Sequence, residues 1–187
     1  MPPKVKITKD QIIETGLTIV RKNGAEAINA RSIAAELQCS TQPIFSNFHS
    51  IEELKHAILK KAEQISTNYI RAEIEKNEYT PYKASGMGYM RFAKEEKELF
   101  KLLYMRNRSN EDINDENALF HQMIGYVNDY TGLANDAAKL FHLEIWTVVH
   151  GIATMLATDY LQLDWELISI ITTDVYQGLR TRHQEKE

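Results

Sequence analysis

Thr41, Gln42, Ser46 and Asn47 lie within one short stretch, each carrying a hydroxyl or an amide and none a charge. At helical spacing Gln42 and Ser46 share a face, because residues four apart are neighbours on a helix. The chemistry open to them is recognition by hydrogen bonding. An amide such as that of Gln42 can pair with both N6 and N7 of an adenine, and hydroxyls can reach base edges or phosphate. Asn29 and Arg31 before this stretch, and Lys55 after it, are candidates for phosphate contact, and Asn29 reads equally as a helix cap. Phe45 either lies against a sugar–phosphate backbone or fills a small core.

Reaction chemistry is not visible. No grouping of nucleophile, base and orienting acid can be recognised, so no enzyme is expected. His121, His142 and His150 are not spaced as a metal set, and neither HExxH nor CxxC occurs, so no metal site or cofactor is expected. Gly86-x-Gly88 lacks the third glycine of a nucleotide loop. Cys39 is the single cysteine, which excludes an intrachain disulfide and suits a reducing compartment. No charge pattern beside it marks a lowered thiol pKa, so it reads as inert. A second group forms a candidate ligand pocket: Met87, Tyr89, Met90 and Phe92, then Phe100 and Tyr104, then Phe120 and Met123, with Trp146 and His150. Met and aromatic residues at helical spacing also read as ordinary core.

The 187 residues are 43% apolar and 26% charged, enough for a sizeable core inside a well-solvated surface. The scarcity of Gly and Pro, with 8 and 4 residues, favours helices over many short strands. Net charge is −4, yet residues 1–61 hold nine basic and six acidic residues while the rest hold thirteen and twenty. Phosphate binding depends on a local positive face rather than on the total. No apolar run marks a signal peptide and no stretch reaches the length of uninterrupted apolar residues that a membrane span needs, so a cytoplasmic location is expected.

The elements that must hold these residues are marked locally. Thr8-x-x-Gln11 is a capping box for a first helix that Gly24 stops. Asn29 caps a short second helix whose inner face is Ile33, Ala34 and Leu37, and Ala34 and Ala35 allow close helix approach. Gln38-Cys39-Ser40 is a tight connector to a third helix near Thr41, where Pro43 is tolerated in the first turn. Ser50-x-x-Glu53 opens a long helix to about Lys76, with Leu54, Ile58, Ala62, Ile65 and Tyr69 along one stripe. Thr80-Pro81 starts the next, to about Lys94, and another covers about 96–106. A polar loop at 107–115 precedes helices at about 116–130, 135–158 and 165–181, the last capped by Asp164 with Leu163 and Ile168 as a staple. The pattern predicts an all-α fold of about nine helices.

A short helix, a tight turn and a second short helix after a packed first one make a helix-turn-helix, whose last helix fits the major groove. Here the sequence resembles the TetR family, over about residues 7–56. The matching residues are Ile12 to Leu17, Gly24-Ala25-Glu26-Ala27-Ile28, Arg31-Ser32-Ile33-Ala34, Ser40 to Phe48, and Ser50-Ile51-Glu52-Glu53-Leu54. Phe45 and Ile51 depart from the tyrosine and lysine common at those places, which removes two backbone contacts. Lys55, with Lys4, Lys6 and Lys9 of the N-terminal arm, offers replacement charge. Trp146-x-x-x-His150-Gly151 is similar to the tryptophan-valine-His-Gly signature of one TetR ligand-domain subgroup. The resemblance implies a helix-turn-helix DNA-binding domain at 1–50 and a ligand-binding and dimerisation domain at 51–187. It also implies a homodimer through the last two helices, a palindromic double-stranded DNA operator, a small-molecule effector and, usually, repression.

The leading expectation is therefore a ligand-responsive, DNA-binding transcriptional regulator with no membrane partner. The alternative is an effector-free helical module, DNA-architectural or protein-binding, that retains the helix-turn-helix head.

Overall fold

The computed structural model describes residues 7–107 and 118–184 and holds, among them, nine α-helices, one short 3₁₀ turn and no strand. The all-α reading is the architecture observed. Lys4 and Lys6 of the expected arm, most of the expected loop at 107–115 and the expected start of the helix at 116 lie outside the described residues. The chain divides into two compact units, one holding the described residues up to Thr67 with Glu96–Arg106, the other Asn68–Glu95 with the described residues from Asn107 on.

The first unit contains α1 (Lys9–Asn23), the 3₁₀ turn Ala25–Ala27, α2 (Ala30–Glu36), α3 (Gln42–Asn47), the first part of α4 (Ile51–Glu75) and α6 (Lys97–Tyr104). Thr8 Oγ1 accepts from the Gln11 N–H at 3.2 Å and Gln11 Oε1 accepts from the Thr8 N–H at 2.9 Å, the reciprocal box that satisfies otherwise orphaned donors. Gly24 ends α1 at φ +80°, a conformation that costs a residue without Cβ little. Ile12, Leu17, Val20, Ile33, Ile44, Phe48, Leu54 and Ile58 are buried to within 1% of full exclusion and make the core. Removing each such side chain from water contributes about 1.5–3 kcal/mol. Gly16 brings α1 against Ile58, where an added Cβ would collide with the isoleucine side chain. Arg21 of α1 grips Glu96, just before α6, through two hydrogen bonds of 2.8 Å.

The second unit contains the end of α4, α5 (Pro81–Glu95), α7 (Ala118–Thr131), α8 (Asn135–Ala157) and α9 (Trp165–Gln184), with α8 packed on α5, α7 and α9. Asp164 Oδ1 accepts from the Leu167 N–H at 2.7 Å, the cap expected for α9. Gly88 of α5 lets the main chain of α4 approach: an added Cβ would lie 2.7 Å from both Ile70 Cα and Tyr69 O. The α4 side chain of Glu73 is 3% exposed and accepts from Lys76 at 2.7 Å and Arg91 at 3.0 Å. Arg91 and Lys94 sit over the ring of Trp165, at 4.6 and 5.2 Å, a favourable placement for cations on an aromatic face. Averaged over 18 residues the hydropathy of α8 reaches 1.4, so length and composition alone would suit a membrane span despite its polar interruptions. A third of that window is buried against the other helices of the unit.

Candidate nucleic-acid interface

The turn between α2 and α3 is built from backbone hydrogen bonds. The Cys39 N–H donates to Ala34 O at 2.9 Å and the Gln38 N–H to Ala35 O at 3.1 Å, the paired closure of a Schellman motif. This motif needs a left-handed residue, and Gln38 supplies it at φ 52°. Asn29 opens α2: its Oδ1 accepts from the Arg31 and Ser32 N–H groups at 3.0 and 2.9 Å. Its Nδ2 donates to Ala27 O at 3.3 Å, so both ends of the amide serve the cap while the residue stays exposed. Ala34 is buried where α2 meets the core, whereas Ala35, expected to share that role, faces outward.

On α3, Ile44 and, at its end, Phe48 turn inward and are buried, with Leu37 of the turn half-buried beside the core. Pro43 falls in the first turn, where its missing N–H leaves no bond unmade. Thr41 precedes the helix without a side-chain capping bond and is half-buried. Gln42, Phe45 and Ser46 are exposed. With 52% of its surface open, Phe45 does not fill the small core. Among the described residues the Gln42 amide has no hydrogen-bond partner. The Ser46 hydroxyl donates to Gln42 O at 2.9 Å and keeps its lone pairs for an incoming donor. Asn47 is half-buried, its Nδ2 donating to Pro43 O at 2.8 Å and Ile7 O at 3.4 Å, which ties α3 to the residues before α1.

The cations divide in the same way. Arg31 and Lys55 are exposed and make no ion pair among the described residues. Lys9 is engaged: its Nζ lies 3.3 Å from Glu53 Oε1 and 4.5 Å from the Phe48 ring centroid. Glu53 also accepts from the His49 N–H at 2.7 Å, and this bond, ahead of the Lys9 contact, holds its carboxyl below the usual range. The first unit thus presents Gln42, Phe45, Ser46, Arg31 and Lys55 to solvent, while Asn29 and Asn47 brace the helices that carry them.

The second unit contains a partly open cavity of about 280 Å³. Tyr82, Lys83, Gly86 and Met90 of α5 form one wall, Ile145 and Val149 of α8 another, and Thr172, Thr173, Tyr176, Gln177 and Arg180 of α9 a third, with Thr80 and Tyr130 at its edges. Of the pocket residues expected from sequence, Met90 lines it. Met87, Phe92 and Met123 are buried elsewhere in this unit. The Tyr89 hydroxyl lies 2.8 Å from His150 Nδ1, Trp146 stacks on His150 with centroids 4.8 Å apart, and Phe120 meets His142 edge-on. Phe100 and Tyr104 belong to the first unit, where the Tyr104 hydroxyl meets Ser66 at 3.2 Å. The helical stripe Lys83, Gly86, Met90 and the hydroxyl- and cation-bearing stripe Thr173, Tyr176, Arg180 carried the missing signal.

Burial raises the pKa of Tyr82, with Tyr176 adding to it, and burial lowers those of Lys83 and His142. The Tyr82 hydroxyl lies 3.0 Å from His142 Nδ1. Among the described residues no three of His, Cys, Asp and Glu gather closely enough to hold a metal ion.

The first unit thus holds a helix-turn-helix and the second a helical bundle with a cavity. Residues 82–170 match the family model of the tetracyclin repressor-like C-terminal domain, a segment that includes Trp146, His150 and Gly151. The chain therefore carries a TetR-like C-terminal domain, which supports its being a TetR-type transcriptional regulator. A comparison with curated proteins finds no match.

Proposed function

We propose that the protein is a cytoplasmic, homodimeric repressor that binds a palindromic operator through α3 and releases it when a small molecule enters the cavity of the second unit. DNA binding is assigned to residues 1–50, and sensing and dimerisation to 51–187. The observation that carries this reading is the division of α3: Ile44 is buried, while Gln42, Phe45 and Ser46 face solvent. A helix with an anchored apolar edge and an open polar edge is what a major groove accepts. Gln42, Ser46 and Thr41 are given base or phosphate contacts, Phe45 a sugar–phosphate contact, and Arg31 and Lys55 phosphate contacts. Asn29 and Asn47 act chiefly by holding the helices and meet the backbone from there.

Dimerisation through α8 and α9 is supported by apolar side chains that a single chain leaves open. Leu143 and Trp146 on α8 are 54% and 40% exposed, and Ile170 on α9 is 50% exposed. Leu143 and Trp146 lie three residues apart on one side of α8, and contiguous exposed apolar surface marks contact sites. An effector shifts such a protein only by binding its two states unequally.

The test is titration of fluorescent DNA from the region upstream of the protein's own gene at several salt concentrations. Gln42→Ala should weaken specific binding by about 1–3 kcal/mol, and removing Lys55 should flatten the salt dependence by about one counterion. Unchanged affinity in Gln42→Ala, with equal binding to unrelated DNA, would favour an architectural or protein-binding module instead.

A further inference from the structure

We infer that the ligand taken by the cavity of the second unit is a small monoanion with an apolar body, a carboxylic acid in the simplest case, held by Lys83. This rests on the reading of that cavity as an effector site and goes on to name the chemistry it selects. The cavity's charged lining is one-sided: Lys83 and Arg180 are its ionic side chains, and no Asp or Glu contributes to it. The Lys83 Nζ donates to Ser169 O at 3.2 Å, Ser169 Oγ at 2.7 Å and Thr173 Oγ1 at 2.8 Å. It also lies 4.7 Å from the Tyr79 ring centroid. All three N–H directions are thus met by neutral oxygens, and among the described residues no carboxylate neutralises the charge.

An ammonium held this way is oriented but uncompensated. Lys83 is half-buried; burial lowers its pKa, and no acidic neighbour opposes the shift. A ligand carboxylate would take one N–H position from a hydroxyl and supply the missing charge. The bond exchanged already has an ionised donor, so what the carboxylate adds is the attraction of opposite charges. Tyr82, facing the same space, is bonded to His142 and held in its neutral form by burial, so it adds no negative charge. Met90, Ile145, Val149 and the ring of Tyr176 leave the rest of the wall apolar. At about 280 Å³ the space is near the lower end of ligand pockets, which suits a short chain or a single ring.

The experiment is calorimetric titration of the full-length protein with monocarboxylates from butyrate to decanoate and with benzoate, each beside its matching neutral alcohol and primary ammonium ion. The expected result is that at least one carboxylate binds ten-fold or more tightly than its alcohol, while the ammonium ion does not bind. Lys83→Met should remove that preference and leave alcohol affinity within about two-fold, while Lys83→Arg should keep it. Circular dichroism establishes that both variants fold. Alcohols binding as tightly as carboxylates, or a preference that survives in Lys83→Met, would overturn the assignment and leave the effector site standing. No binding by any of the three classes would overturn the effector site and this inference together.

Discussion

Gly88→Ala tests the packing of the second unit directly. The added Cβ would sit 2.7 Å from Ile70 Cα, 2.7 Å from Tyr69 O and 3.1 Å from Ile70 N. Carbon atoms pack best at about 3.5–4.0 Å, so the helices must part by roughly 1 Å. Every atom struck belongs to the main chain of α4, and no change of rotamer relieves the clash. Overpacking of this kind costs about 1–3 kcal/mol, and contact with main chain places it toward the upper figure. Replacing a mid-helix Gly by Ala returns about 0.8–1 kcal/mol through helix propensity. The expected net loss is about 2 kcal/mol, or a fall in Tm of about 4–8 °C for a chain of this size. Gly125 of α7 is the control, since an added Cβ there meets nothing within 4 Å. Gly125→Ala should raise Tm by a few degrees through propensity alone. Far-UV circular dichroism melts of the two variants beside the parent decide the matter. A Gly88→Ala protein as stable as the parent would refute the close approach of α4 and α5.

Three further outcomes follow from named contacts. Gln38 holds a left-handed φ of 52° that glycine adopts at less cost, so Gln38→Gly should stabilise the protein against urea by about 0.5–1 kcal/mol. A loss of stability would mean that the turn is not closed as described. Glu73→Gln should cost about 1–2 kcal/mol near neutral pH, less than a fully buried pair, because Lys76 and Arg91 retain solvent contact. Burial works against the Glu73 carboxylate, but its bonds to Lys76 and Arg91 outweigh this and lower its folded pKa. Its contribution is therefore full above the ordinary value of 4.5 and lost as pH falls through the lowered one, so parent and variant urea curves should converge on acidification. His142 is held neutral by burial, with its folded pKa below 6.5. The unfolded chain then takes the proton first, and stability should fall as pH drops below about 6.5. His142→Gln should lessen that slope between about pH 6.5 and 5, and an unchanged slope would exclude His142 as its source.

Much of the fold was legible because its signals are local. The Thr8 and Gln11 box, the Asn29 and Asp164 caps and the Gly24 stop each depend on residues within one turn. The burial of Ile33, Ile44 and Phe48 against exposed Gln42 and Ser46 follows from helical spacing once those ends are fixed. What escaped is set by distant partners. Ser66 and Glu73 continue the buried stripe of α4 where Ile65 and Tyr69 were expected, because Tyr104, Lys76 and Arg91 satisfy their polar atoms. The Glu53 side chain caps the His49 N–H at 2.7 Å in place of the Ser50 N–H that a reciprocal box implies. Leu140, Leu143 and Trp146 of α8 are apolar at helical spacing, yet all three are exposed. Periodicity cannot say whether the surface that covers a residue belongs to the same chain. The cavity is harder to read for a related reason: its walls show as separate stripes on α5 and α9, but the meeting of Lys83 with Thr173 across the two helices is written in neither stripe alone.

On the proposed reading, α3 is the helix that contacts DNA. The most direct test of that reading is a DNase footprint of the full-length protein over the sequence upstream of its own gene, with Gln42→Ala run beside it. The expected pattern is two protected, symmetry-related half-sites spaced by about one helical turn, or a multiple of it, with protection shifted to higher protein concentration in the variant. Even coverage without a discrete site, or an identical footprint from the variant, would contradict it.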